Sequence, residues 1–321
     1  MLGKPYKNKK NTSTDKKLLL MGRKNAGKTS IHSVIFSDIQ AQLTKSLPFT
    51  NNINSNNVLF LGHKLTINDC GGQDDLIKQY LSDPHQVFVD VQFLVYVFDF
   101  QFKKEDQDFS VYKEIIEKLR QYSEDAKIFI LFHKTDLIES HKREALFNKY
   151  KQKVEEITPK NQLAEIFATS IWDVSLYYAW SVIIKNIIPD VQMFENILSS
   201  ISELIQCEEI VVVEKSSFLI IGSHNKTQSN EKEILKYERL SGIVKNFKID
   251  CSKRGKEMNS IVIKNQDFTI LLEDFTKNTF IILMFYDNEL KPGLMSLNIK
   301  LVHKWLSENK SEKLDHLKLV W

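Results

Sequence analysis

The 321-residue chain is 42% hydrophobic and 26% charged, ordinary globular values that exclude general disorder and leave room for about two domains. A net charge of +3 is too small to imply nucleic-acid binding. Three widely spaced cysteines, Cys70, Cys207 and Cys251, make no metal or disulfide framework and suit a reducing, cytoplasmic setting.

Residues 1–15 read as a polar tail with Lys4, Lys7, Lys9 and Lys10, a solvated segment rather than a membrane-binding patch. No apolar run is long enough to span a membrane. Leu2 stands where myristoylation needs glycine, and Leu319-Val320-Trp321 offers no prenylatable cysteine. Any membrane attachment is therefore expected through another protein.

From residue 16 the pattern alternates. Strands are expected over Lys17–Met21, Val58–Leu61, Lys64–Asn68, Phe93–Phe98, Lys127–Phe132 and Glu165–Ala168. Helices are expected over Lys28–Ser37, Asp75–Leu81, Ser110–Gln121, His141–Glu155 and Val174–Ile187. Apolar strands separated by amphipathic helices predict an α/β domain over 16–189. Its sheet would be mostly parallel with helices on both faces, and its ligands would sit beyond the carboxyl ends of the strands.

The first such end carries Gly22-Arg23-Lys24-Asn25-Ala26-Gly27-Lys28-Thr29-Ser30. Strand, Gly-bounded loop and helix form the G-x-x-x-x-G-K-[ST] phosphate loop. Its backbone N–H groups make an anion nest at a helix N-terminus. Lys28 reaches the β- and γ-phosphates, and the Thr29 hydroxyl is a Mg²⁺ ligand.

The polar stretch Gln40–Asn57 is too long for an ordinary connection. It reads as a switch that closes over Mg²⁺ with a Thr hydroxyl, Thr50 first and Thr44 as a lesser nucleotide contact. Asn51, Asn52, Asn54, Asn56 and Asn57 would equally suit a disordered insertion. The next loop, Asp69-Cys70-Gly71-Gly72-Gln73-Asp74, offers Asp69 to Mg²⁺ through water, the Gly72 N–H to the γ-phosphate, and Gln73 to orient the attacking water.

His133-Lys134-Thr135-Asp136 follows the fifth strand. A carboxylate there accepts both guanine N1–H and the exocyclic amine, so Asp136 selects GTP over ATP while the Lys134 stem covers the base. In Thr169-Ser170-Ile171-Trp172-Asp173, backbone N–H groups are placed to meet guanine O6, and Ser170 or Asp173 also suits a helix cap.

After Pro189 the alternation changes. Helices are expected over Val191–Ile205, Glu231–Phe247 and Leu294–Leu306. Strands are expected over Ile210–Val213, Phe218–Ile221, Ser260–Ile263, Phe268–Leu272 and Thr279–Phe285, with tight turns at Glu214-Lys215-Ser216-Ser217 and Asn265-Gln266-Asp267. Residues 190–321 are thus expected to be an α+β domain, an antiparallel sheet covered by helices, with no catalytic grouping.

Taken together, Leu-Leu-Met-Gly-Arg-Lys-Asn-Ala-Gly-Lys-Thr-Ser at 19–30, Asp-Cys-Gly-Gly-Gln-Asp at 69–74, Tyr-Val-Phe-Asp at 96–99, His-Lys-x-Asp at 133–136 and Thr-Ser-Ile-Trp-Asp at 169–173 resemble the Rag/Gtr GTPases of the RagA/RagB type. His133 and Ile171-Trp172 are specific to that likeness within the Ras-like superfamily. The resemblance implies a Ras-like P-loop GTPase domain followed by a roadblock/longin-type dimerisation domain. It implies a GTP/GDP switch with Mg²⁺, paired with a RagC-like subunit and held at the lysosome or vacuole by a membrane scaffold complex. Such a switch signals amino-acid sufficiency to the target-of-rapamycin kinase complex and is turned off by a GTPase-activating protein. Carried over, it marks Arg23, Lys24, Asn25, Ala26, Gly27, Lys28, Thr29, Ser30, Thr44, Thr50, Gly72, His133, Lys134, Asp136, Ser170 and Ile171 for GTP. Thr29, Thr50 and Asp69 are marked for Mg²⁺, and Gln73 for hydrolysis. Asn68 (for Trp), Pro48-Phe49 before Thr50 and the run Asn51–Asn57 depart from that family's wording. An Arf- or Rab-like trafficking GTPase and a non-hydrolysing nucleotide-binding scaffold are the rival readings.

Overall fold

The computed structural model describes residues 16–37, 39–60, 63–188, 191–226, 231–256, 258–286 and 292–308. The lysine tail, Pro189 and Leu319–Trp321 lie outside the described residues.

Six strands form the first sheet: β1 (Lys16–Met21), β2 (Ile53–Phe60), β3 (His63–Cys70), β4 (Phe93–Asp99), β5 (Lys127–His133) and β6 (Leu163–Thr169). Their order is β2-β3-β1-β4-β5-β6, with every pair parallel except β2 with β3. Strand alternation divides the core into two layers. Leu18 and Leu20 pack with α1 (Lys28–Phe36) and α6 (Ser175–Ile187). Leu19 and Met21 pack with α2 (Asp74–Ser82), α3 (Pro84–Phe88), α4 (Glu105–Tyr122) and α5 (Ser140–Ile157). The expected doubly covered α/β sheet is present, and all the parallel strands point their carboxyl ends to one edge.

The segment Gln40–Asn57 is more ordered than a single loop. Residues Ala41–Ser46 make a 3-10 turn, and from Ile53 the chain is already the edge strand β2, registered as Ser55↔Asn68 and Asn57↔Thr66. The Ser55 hydroxyl donates to Asn68 Oδ1 at 2.7 Å, and Thr66 Oγ1 donates to Asn57 Oδ1 at 2.8 Å. A solvent-facing edge strand needs no apolar alternation, so an Asn-rich run hides its strand character. Helix α3 went unread because it is a single short turn, started by Pro84 at its first position.

The second sheet is wholly antiparallel. Its strands are β7 (Glu209–Glu214), β8 (Ile220–Asn225), β9 (Ser260–Lys264), β10 (Thr269–Thr276) and β11 (Thr279–Phe285), in the order β8-β7-β11-β10-β9. Helices α7 (Val191–Ile205) and α9 (Pro292–Glu308) cover one face, and α8 (Glu231–Lys253) covers the other. β8 begins two residues later than the sequence suggests. Phe218 adopts φ 60° in the preceding turn, where the Glu214 carboxylate accepts from the Ser217 N–H at 2.6 Å.

The two sheet systems share a core. Leu219 and Ile221 enter the layer containing Ile183, Ile184 and Ile187 of α6, and the Ile220 N–H donates to Ser181 Oγ at 3.1 Å. The buried Lys245 ammonium of α8 donates to Val34 O (2.8 Å) and Ile35 O (3.2 Å), the last-turn carbonyls of α1.

Trp180 is fully buried between α6 and α1, edge-on to Phe36 at 5.0 Å. Trp180→Ala is expected to lower unfolding free energy by about 3–5 kcal/mol, read as the shift of the urea transition.

Candidate functional site

The phosphate loop is shaped by three positive φ angles, at Gly22 (143°), Asn25 (67°) and Gly27 (101°). Successive N–H groups thereby turn inward toward the start of α1, whose first amides have no helical partner. Gly27 admits no side chain, because a Cβ there would lie 2.6 Å from His133 Cδ2. Lys28 is 6% exposed and spans the loop, donating to Gly22 O at 2.8 Å and Arg23 O at 3.1 Å. Burial lowers its pKa to about 8, while Asp69 pulls the other way.

Thr29 in the first turn of α1, Thr50 in the 47–52 loop and Asp69 near the end of β3 converge. Thr29 Oγ1 lies 2.8 Å from Asp69 Oδ2 and 2.6 Å from Thr50 Oγ1, and Thr50 Oγ1 is 3.4 Å from Asp69 Oδ2. Asp69 is 1% exposed, and its Oδ1 has no hydrogen-bond partner. Burial raises its pKa, opposed by the Thr29 hydrogen bond and Lys28. A buried carboxylate oxygen with no donor beside two hydroxyls is suited to a small hard cation and its waters. Among the described residues no group of three His, Cys, Asp or Glu could hold a metal. This sparse oxygen set fits Mg²⁺, which retains most of its water and takes further ligands from phosphate.

Gly72 presses onto the phosphate loop. A Cβ there would lie 2.4 Å from Lys28 Nζ and 2.5 Å from Gly22 O. The neighbouring Gln73 keeps its buried Oε1 without a partner, and its Nε2 is 3.4 Å from Asn51 Oδ1.

A cavity of about 450 Å³ runs along these groups. Of the residues marked for nucleotide or hydrolysis, Lys24, Asn25, Gly27, Lys28, Thr29, Ser30, Thr44, Thr50, Gly72, Gln73 and Lys134 line it. Thr44 lines it while its hydroxyl donates to Ala41 O. Arg23 does not: its guanidinium turns outward to Asp108 (2.8 Å) and Asp74 (3.1 Å). Ala26 is in the core.

The residues marked for the base, His133, Asp136, Ser170 and Ile171, do not line this cavity. Lys134, at φ 69°, donates to Asn25 O (2.5 Å) and Asp99 Oδ2 (2.7 Å). Ser170 Oγ donates to Asp136 Oδ1 at 2.6 Å and accepts from the Trp172 N–H. His133 is 2% exposed, with Nδ1 3.0 Å from Thr169 Oγ1. Burial first, then the charge of Lys134, lower its pKa to about 4, so the ring is a neutral buttress between β6 and Gly27. Ile171 packs against the core and borders a groove with Tyr177 and Lys245.

Sequence reasoning missed two contributors. Asp99 anchors Lys134, and its only signal is its position ending Tyr96-Val97-Phe98-Asp99. Phe49 lines the cavity with its ring 4.5 Å from Lys24 Nζ, and its only sequence signal is its departure from the family's wording before Thr50.

Comparison with known proteins gives the family. The family model for the Gtr1/RagA G protein conserved region matches residues 17–244. The chain is 36% identical over 287 residues to Ras-related GTP-binding protein A of Dictyostelium discoideum, covering 89% of this chain and 94% of that protein. It is 35% identical over 301 residues to GTP-binding protein GTR1 of Saccharomyces cerevisiae, covering 89% and 96%. It is also 28% identical over 241 residues to GTP-binding protein GTR2 of the same yeast, covering 72% and 68%.

The clearance at Gly72 leads to a direct expectation. Gly72→Ala should push residues 71–73 off the phosphate loop and withdraw the N–H expected to meet the terminal phosphate. Triphosphate affinity should fall about 10–100-fold, the usual range for a lost charge-assisted hydrogen bond, with diphosphate affinity nearly unchanged. Titration with fluorescent nucleotide analogues reads both.

Proposed function

The chain belongs to the Gtr1/RagA family of G proteins, and from that membership we propose that it is a GTP-hydrolysing switch of the Rag type. The observation that carries the reading is the meeting of Thr29 and Thr50 at Asp69 Oδ2, with Asp69 Oδ1 left unpartnered, near Lys28. Two hydroxyls and a carboxylate drawn from separate segments of the chain, beside a buried lysine, suit a terminal phosphate and its cation.

In this reading the 22–30 loop and Lys28 bind the phosphates, and Asp136, Lys134 and the 169–173 loop bind guanine. Thr29, Thr50 and Asp69 would hold Mg²⁺, directly or through water. When bound, Mg²⁺ supplies charge neutralisation between the phosphates. Gln73 orients water for in-line attack on the γ-phosphorus; the P–O bond to GDP breaks and phosphate leaves. Arg23 is committed to Asp74 and Asp108 and is no candidate for the transition-state arginine. Turnover is therefore slow alone, and an activating protein supplies an arginine worth about 10³–10⁵ in rate.

Residues 190–321 serve as the roadblock/longin-type dimerisation domain. β9 ends the five-strand order, and its Val262 and Ile263 are exposed, as are Ile243 and Phe247 on α8. An edge strand and a helix with exposed apolar residues fit pairing with a like domain. The similarity to GTR2 makes a RagC-like GTPase subunit the natural partner. Among the described residues no helix is long and apolar enough to cross a membrane. A cytoplasmic protein held on the lysosome or vacuole by a scaffold complex, and reporting amino-acid sufficiency to the target-of-rapamycin kinase complex, completes the reading. The second sheet domain weighs against an Arf- or Rab-like trafficking role, and Gln73 at the cavity weighs against a non-hydrolysing scaffold.

Gln73→Leu should leave GTP affinity within about threefold of the parent and abolish stimulated hydrolysis. Phosphate release with an activating protein tests it; retained stimulation would show that another group positions the water. Separately, Phe247→Asp with Val262→Asp should reduce co-purification of a RagC-like subunit at least about tenfold, the order expected when charge enters an apolar contact. Undiminished recovery would place the dimer contact elsewhere.

A further inference from the structure

We propose that Phe49 and Lys24 form a clasp that closes Leu47–Thr50 over the cavity mouth and holds a nucleoside triphosphate in place. The inference rests on the nucleotide-binding reading and adds a retention element to the same site.

Lys24 is the third residue of the phosphate loop, and Phe49 immediately precedes Thr50. Their side chains line the same cavity and meet at its mouth, with the ammonium 4.5 Å from the ring centroid. Phe49 is 62% exposed, so its ring is not placed there by core packing. A large apolar side chain in that position costs solvent exposure unless it gains something locally. A cation–π contact across the mouth supplies that gain. Pro48 restrains the backbone just before it, which aims Phe49 at the loop once Thr50 is seated.

The link to Thr50 sets the direction of the effect. Thr50 Oγ1 lies 2.6 Å from Thr29 Oγ1, and a neighbouring residue reaches Lys24 only while Thr50 occupies that place. A ligand set that includes a terminal phosphate and its cation gives the Thr50 hydroxyl further partners in that place, which a diphosphate lacks. The clasp therefore slows triphosphate release and has little effect on diphosphate release.

The test is the release rate of fluorescent GTP and GDP analogues from the full chain, chased with unlabelled nucleotide. Exposed cation–π contacts predict that Phe49→Ala and Phe49→Leu each speed release of the GTP analogue about two- to fivefold. Phe49→Trp should preserve the parent rate or slow it, because the π face is kept. Lys24→Ala should match Phe49→Ala, and the double variant should release no faster than either single one. Parent-like release from Phe49→Leu overturns the clasp. So does a double variant whose acceleration is the product of the two single effects, since Lys24 would then act on the phosphates alone. Failure of the parent protein to take up either analogue overturns the nucleotide reading itself, a result distinct from uptake with release indifferent to Phe49.

Discussion

Lys28 is a cation with almost no access to water, and the nucleotide end of the molecule is organised around keeping it in place. Burying an ammonium is costly unless acceptors surround it. Here two carbonyls of its own loop receive it, and Asp69 offsets part of the desolvation. The loop can curl around Lys28 only because Gly22, Asn25 and Gly27 accept positive φ. The second glycine loop can close on it only because Gly72 has no side chain. Replacing the carbonyls by phosphate oxygens would exchange weak acceptors for charged ones, which is why such a lysine is poised for an anion.

The same economy of polar groups extends across the molecule. The final carbonyls of α1 have no amide ahead of them in the helix, and Lys245, from the second sheet system, donates to them. Leu219 and Ile221 continue the α6 core into β8. The helix that begins at the phosphate loop therefore ends on the second domain. Movement of one relative to the other must disturb buried hydrogen bonds and a shared apolar layer.

Much of the fold was legible from periodicity. Continuous apolar runs such as Leu18–Met21 and Phe93–Phe98 announce strands buried on both faces, and the amphipathic runs between them announce their crossover helices. What escaped did so for local reasons. β2 carries asparagines because one side faces water, so its strand character rests on backbone pairing to β3 and on the Ser55–Asn68 and Thr66–Asn57 contacts. α3 is too short to show a period. Phe218 is in a left-handed turn that no β-rich composition advertises. At the site, Arg23 lies inside the phosphate motif, but its side chain answers to Asp74 and Asp108, which are distant in sequence.

By itself, the sequence determined the phosphate loop, the carboxylate that ends β3 and the glutamine just beyond it, and the alternation that makes a parallel sheet. Each is a local signal, written in consecutive residues whose backbone preferences act at short range. Only the tertiary structure decided what Phe49 faces, how His133 buttresses Gly27, and where α8 touches α1. These are contacts between residues tens to hundreds of positions apart, set by strand order and close packing, and no local propensity encodes them.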